Sequence, residues 1–160
     1  MPANENIVAF TNSCDSVFVT NAKLGIKATI TWLYYKDVEK SKTFYDEIVG
    51  LKQLENFGAA KIYQISTSGM IAISNETKEM QFSEDKAVNV SFVLDSIDGW
   101  FNYCKNNVPF EMRSKEMEIG DENKYKAFIG YDPEGYYLEF DAFYKHPLNE
   151  KLMTLLETNH

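Results

Sequence analysis

The chain has 160 residues, enough for one ordinary domain or two small modules that share a core. Its 44% hydrophobic and 25% charged residues are those of a globular protein. A net charge of −8 argues against a nucleic-acid or anionic-membrane surface. The two cysteines, Cys14 and Cys104, make neither a disulfide framework nor a zinc motif, so the expectation is free thiols in a reducing compartment. The first ten residues carry no Lys or Arg, and Glu5 interrupts any apolar core, which is not the pattern of a secretory signal. No run approaches the roughly 18 apolar residues of a membrane span. The expectation is a soluble, cytoplasmic protein without a membrane partner.

Residues 1–26 read as an N-terminal arm. Residues 7–10 and 16–20 each have the makings of a short strand, with the turn-rich Asn12-Ser13-Cys14-Asp15 between them. An arm packed on the domain or on a partner subunit and a frayed terminus are both consistent with this stretch. Residues 27–36 form the first clear strand. Thr29, Thr31, Leu33 and Tyr35 share one side and Ile30, Trp32 and Tyr34 the other, the pattern of a strand buried on both faces.

Asp37 then caps a helix over 38–48, with Phe44, Tyr45, Ile48 and Val49 at helical spacing and Gly50 as its stop. Three short strands follow over 51–57, 60–66 and 70–75. Residues 76–86 are charged and polar and read as a linker.

From there the order of elements repeats. Residues 88–94 alternate, with Val88, Val90, Phe92 and Leu94 apolar. Asp95-Ser96 opens a helix over 97–107 that buries Ile97, Trp100, Phe101 and Cys104. Strands over 109–115, 124–131 and 136–143 complete the second set, with an acidic, mobile loop over 116–123. His146-Pro147 starts a C-terminal helix carrying Leu148, Leu152 and Leu155 on one face, within residues 146–160. The chain therefore reads as a duplicated βαβββ module, 27–75 and 87–145, forming one domain over 27–145.

The stretch Asp132-Pro133-Glu134-Gly135-Tyr136-Tyr137-Leu138-Glu139-Phe140 is a turn followed by an aromatic-rich strand. Alternation puts Tyr136, Leu138 and Phe140 on an apolar face and Tyr137, Glu139 and Asp141 on a polar one. The apolar face is expected to pack on a helix, and the polar face to line a cavity.

This order resembles the vicinal oxygen chelate superfamily, which includes glyoxalase I, the bleomycin-resistance proteins and the extradiol dioxygenases. The residues that carry the resemblance are Leu33-Tyr34-Tyr35-Lys36-Asp37, Ser41, Phe44-Tyr45 through Gly50-Leu51, and the closing Asp132-Pro133-Glu134-Gly135 with Glu139. It covers about residues 27–143. It implies an α+β fold in which two βαβββ modules form a curved mixed sheet around one cavity, here with the N-terminal arm and a short C-terminal helix. It also implies a homodimer.

In metal-dependent members the closing Glu is a ligand, and Glu139 falls on it. The other ligand positions match Ile30, Asn89 and the neighbourhood of Ala72, so the ligand set is broken. The only histidines, His146 and His160, lie beyond the last predicted strand. The expectation is therefore no metal and no cofactor.

Carrying the alternation through, the cavity face presents Ile30, Trp32, Tyr34, Asn89, Ser91, Val93, Tyr137, Glu139 and Asp141. An aromatic-walled pocket with a few hydrogen-bonding groups suits a small molecule. The competing structural reading is a satisfied interior in which Glu139 is bonded to Asn89 or Tyr34. Three functional classes follow. One is a metal-free protein that binds an aromatic or amphipathic ligand through Trp32, Tyr34, Asn89, Ser91, Tyr137 and Asp141. Another is a metal-free lyase or isomerase with Glu139 as a buried general base. The last is a metal-dependent lyase, isomerase or dioxygenase with non-standard ligands. The first is preferred, because the cavity strands offer no second residue of obvious catalytic type.

Overall fold

The computed structural model describes residues 27–106 and 110–158. The expected arm and its two short strands lie outside the described residues. Module one runs β1 (Thr29–Tyr35), α1 (Val38–Thr43), a π-helical turn (Phe44–Ile48), β2 (Lys52–Asn56), β3 (Ala60–Gln64) and β4 (Gly69–Asn75). Its sheet has the order β1-β4-β3-β2, with β1 parallel to β4 and the other pairs antiparallel. Module two runs β5 (Asn89–Val93), α2 (Ile97–Asn106), β6 (Glu111–Met112), β7 (Glu118–Ile119), β8 (Tyr125–Tyr131) and β9 (Tyr137–Phe143). Its order β5-β9-β8-β6 repeats the pattern, with β5 parallel to β9 and β7 also on β8. A 3₁₀ turn (Pro147–Asn149) leads into α3 (Glu150–Thr158).

Local chemistry sets the boundaries. The Asp37 carboxylate accepts from the Glu39 N–H at 3.1 Å, satisfying a donor at the start of α1, and Asn75 accepts from the Val38 N–H at 2.8 Å. Gly50 ends the helical segment at φ 73°, a conformation that costs a side chain-bearing residue more. The π-helical turn leaves consecutive residues Phe44 and Tyr45 both buried, their rings edge-to-face at 5.1 Å.

The two modules share one core. Phe44 of module one stacks on Phe110 of module two at 5.9 Å, and Phe110 meets Phe140 edge-on at 5.7 Å. Gly130 makes room for Phe110, because a Cβ there would sit 2.2 Å from a ring carbon. Phe140 also stacks on Trp100 of α2 at 5.7 Å, so the apolar face of β9 packs on a helix as expected. Cys104 on α2 is a free, buried thiol, pushed up to about 12 by that burial.

The turn between β8 and β9 locks the modules together. One oxygen of the Asp132 carboxylate accepts from the phenols of Tyr35 (2.5 Å) and Tyr45 (3.1 Å), both from module one. The other accepts from the backbone N–H groups of Glu134 (3.1 Å) and Tyr136 (2.8 Å), closing its own turn. Burial pushes the Asp132 carboxyl up, against the pull of these donors, and pushes both phenols well above their usual range. The phenols therefore keep their protons and donate. Beside them, the Tyr136 phenol accepts from the Tyr34 N–H (2.8 Å) and donates to the Tyr34 C=O (2.9 Å). Glu134 accepts from the N–H groups of Lys36 (2.7 Å) and Asp37 (3.1 Å).

Several expectations need correction. The first strand is not buried on both faces: Leu33 and Tyr35 are buried, but Ile30 and Trp32 are 40% and 42% exposed, because β1 lies at a sheet edge. The strand expected over 109–115 is reduced to Glu111–Met112, and the acidic loop after it holds β7 and a short 3₁₀ turn (Asp121–Asn123). That segment is tied down by Tyr125 donating to Glu118 at 2.8 Å and by the contact of Glu122 with His146 at 2.8 Å. The linker is docked as well. Phe82 lies under the ammonium groups of Lys36 (4.4 Å) and Lys86 (3.5 Å). Among the described residues no helix is long and apolar enough to cross a membrane.

Removing the Asp132 carboxylate would leave two turn N–H groups without their acceptor and two buried phenols with only each other to bond. Asp132→Ala is expected to lower unfolding free energy by about 2–4 kcal/mol, measured by denaturant titration. A loss below about 0.5 kcal/mol would contradict this role.

Candidate functional site

The polar face of module two is built from three neighbouring strands. On β9, Tyr137, Glu139 and Asp141 project from one side by strand alternation. Register places Asn89, Ser91 and Val93 of β5 beside them on one flank and Tyr131, Ile129 and Ala127 of β8 on the other. Glu118 of β7 stands opposite Ala127, which puts a third carboxylate on the same row as Asp141.

Two side-chain bonds tie β5 to β9, each reaching two residues past the register partner. The Asn89 amide donates to Glu139 Oε2 at 2.6 Å, and the Ser91 hydroxyl donates to the Asp141 carboxylate. Of the two carboxylates Asp141 is the buried one and Glu139 only half-buried, whereas the enzyme reading required burial of Glu139. Burial pushes the Asp141 carboxyl up; the nearby charges of Glu139 and Glu118 act in the same direction, and the Ser91 bond opposes them. Tyr137 is set between Tyr131, edge-on at 5.5 Å, and the Arg113 guanidinium, 5.2 Å from its ring centre. Tyr131 and Glu118 enter through cross-strand register and Arg113 from just past the end of β6, neither of which alternation within single strands reveals.

The other half of the expected cavity lies elsewhere. Ile30, Trp32 and Tyr34 belong to the module-one sheet, where register sets them beside Met70, Ala72 and Ser74. The two sheets do not pair with each other among the described residues. The structure thus brings Asn89, Ser91, Tyr137, Glu139 and Asp141 together, and leaves Trp32 and Tyr34 on a separate surface. A groove of about 1060 Å³ does run between the modules, but β1 lines it with Thr29 and Thr31 rather than with Ile30 and Trp32. Of the expected set only Asn89, Ser91 and Val93 reach its wall, alongside Phe92, Trp100 and Phe140.

A metal fits this face poorly. The positions that the resemblance assigns as ligands hold Ile30, Ala72, Asn89 and Glu139, and the first two have no donor atom. Asn89 turns its NH₂ toward Glu139, presenting a donor where a ligand would have to accept. Among the described residues no three of His, Cys, Asp or Glu gather to hold an ion. Three histidines, or two with a carboxylate, are the usual minimum for a catalytic zinc.

No protein-family model matches the chain, and no curated protein sequence matches it. Solved structures do. A glyoxalase/bleomycin resistance protein/dioxygenase from Nocardioides superposes with a TM-score of 0.62 at 17% identity, covering 76% of this chain and 86% of that one. The chain has the vicinal oxygen chelate fold. The genomically encoded fosfomycin resistance protein FosX from Listeria monocytogenes gives 0.60 at 17% identity, over 76% and 96% of the two chains. Lactoylglutathione lyase from Agrobacterium tumefaciens gives 0.57 at 16% identity, over 71% and 90%. At these identities the likeness establishes the fold alone.

Asp141 gives the fold a pH dependence of definite sign. With its folded-state pKa raised, its contribution to stability is fully present below the unfolded value and is lost as pH rises through the folded value. Asp141→Asn should therefore gain stability relative to the native chain as pH rises above the ordinary carboxylate value of about 4, measured by denaturant titration at a series of pH values. A stability difference that stays flat, or runs the other way, would contradict the assignment.

Proposed function

We propose that the chain is a metal-free small-molecule-binding protein that takes an aromatic or amphipathic ligand on the sheet face bearing Glu139. The observation that carries this reading is the exposure of Glu139: although bonded to Asn89, as a satisfied interior would also have it, the carboxylate is only half-buried beside Tyr137 and stays open to a ligand. Such a group accepts from a ligand O–H or N–H, while the ring offers a stacking surface. Two of the structural neighbours are named for resistance to small molecules, bleomycin and fosfomycin, which accords with this class of ligand.

The proposal includes a homodimer. Ile30 and Trp32 form an exposed aromatic and apolar surface on module one. A second copy that brings this surface over the partner's Glu139 face would assemble the full set of Trp32, Tyr34, Asn89, Ser91, Tyr137, Glu139 and Asp141. The proposal also takes the chain to work in a reducing cytoplasm, where Cys104 would stay a thiol.

A lyase or isomerase reading is favoured by one observation. The Asp141 carboxyl, buried and pushed up by that burial, stands on the same face as the half-buried Glu139, so two carboxyl groups in unlike surroundings lie together. The likeness to a lactoylglutathione lyase accords with it.

Ligand binding followed by equilibrium dialysis, with turnover of the ligand assayed alongside, separates the two. For a neutral aromatic ligand found by screening, Trp32→Ala and Glu139→Ala should each weaken binding about tenfold, and Glu139→Gln by about threefold or less. Native affinity in both alanine variants would refute the site. Turnover of the ligand that is lost in Glu139→Gln with affinity retained would establish the enzyme reading instead.

A further inference from the structure

The inter-module groove shares only Asn89 and Ser91 with the proposed ligand site. Its walls are mostly apolar, with Val90, Phe92 and Trp100 from module two facing Val49, Leu51 and Ile65 from module one. Along its rim run the edges of β1 and β5, each paired on one side only among the described residues.

Backbone hydrogen bonds fix which groups point outward. The Thr29 N–H donates to Ser68 C=O, so Thr29 and Thr31 turn their backbones toward β4 while Ile30 and Trp32 turn theirs away. The Leu94 N–H donates to Asp141 C=O, so Ser91 and Val93 likewise direct their backbone groups away from β9. At Tyr34 the outward N–H and C=O are taken by the Tyr136 phenol, which closes the β1 edge there. The β5 edge carries no equivalent plug among the described residues. A bare strand edge beside an apolar groove is the arrangement on which an added extended segment binds.

The chain itself supplies a candidate occupant. It enters the described fold at residue 27, and Thr29 already stands on the groove wall. The preceding 26 residues are outside the described part. They contain Ser16-Val17-Phe18-Val19-Thr20, which matches the five residues of β5 in length and is β-branched or aromatic throughout its centre. The nine positions from Thr20 to Thr29 reach up to about 30 Å when extended, enough to cross a groove between two sheets. We propose that this groove is the docking surface for the chain's own residues 1–26, with 16–20 lying along the edge of β5. The groove meets the ligand site at Asn89 and Ser91, but Glu139 and Trp32 do not line it, so loss of ligand binding in Glu139→Ala or Trp32→Ala tests the ligand reading without testing this one.

Amide hydrogen exchange on the full-length chain tests this at Ser91 and Val93. In the native chain these amides should exchange at least about tenfold more slowly than in an open edge strand, unchanged on tenfold dilution. Phe18→Asp and the double variant Val17→Asp/Val19→Asp together probe both faces of the segment. At least one should abolish that protection while the amides of β4 and β8 stay protected. Fast exchange in the native chain, or protection that neither variant alters, would overturn the proposal. Protection that falls on dilution would overturn it too, by assigning the groove to a second copy.

Discussion

The structure depends on one buried carboxylate. Asp132 accepts from two phenols of module one and from two N–H groups of its own turn, so a single side chain both shapes the β8–β9 turn and binds it to β1 and α1. Burial of a carboxylate is costly unless its acceptor sites are filled, and here donors from two modules fill them. Glu134 and Tyr136 extend the same junction to the end of β1. Everything that follows on β9, including Glu139 and Asp141, inherits its register from that turn.

The consequence for function is geometric. The junction packs the helix-facing sides of the sheets into one core, which leaves each sheet's other side open. On module two the open side is polar and ordered, with Asn89 and Ser91 holding Glu139 and Asp141. On module one it is aromatic, with Trp32 exposed. Neither side alone has the makeup of a complete small-molecule pocket, and the proposed dimer is what would bring the two together.

Much of this was legible in the sequence. The repeat of elements, the Asp37 cap, the Gly50 stop and the two faces of β9 follow from local rules of spacing and turn chemistry, and the sheets bear them out. The Asn89–Glu139 bond is one of the two contacts that the satisfied-interior reading allows that carboxylate. What local rules miss is long-range pairing. Tyr35 and Asp132 are 97 residues apart, and nothing in either segment marks them as partners. Both faces of β1 are apolar, a pattern that is the same for a doubly buried strand and for an edge strand awaiting a cover, so its exposure was not readable. Alternation within strands named the members of each face but could not show that the faces sit on two sheets. The burial expected for Glu139 fell on Asp141, two positions along the same strand, where Val93 and Ala127 flank it and the Ser91 hydroxyl reaches it.

The central claim is that the Glu139 face works without a metal, and elemental mass spectrometry of the purified protein, with Glu139→Ala as control, tests it most directly. The account predicts that native and variant proteins carry the same substoichiometric trace of every transition metal. Near-stoichiometric metal in the native protein that disappears in Glu139→Ala would contradict it.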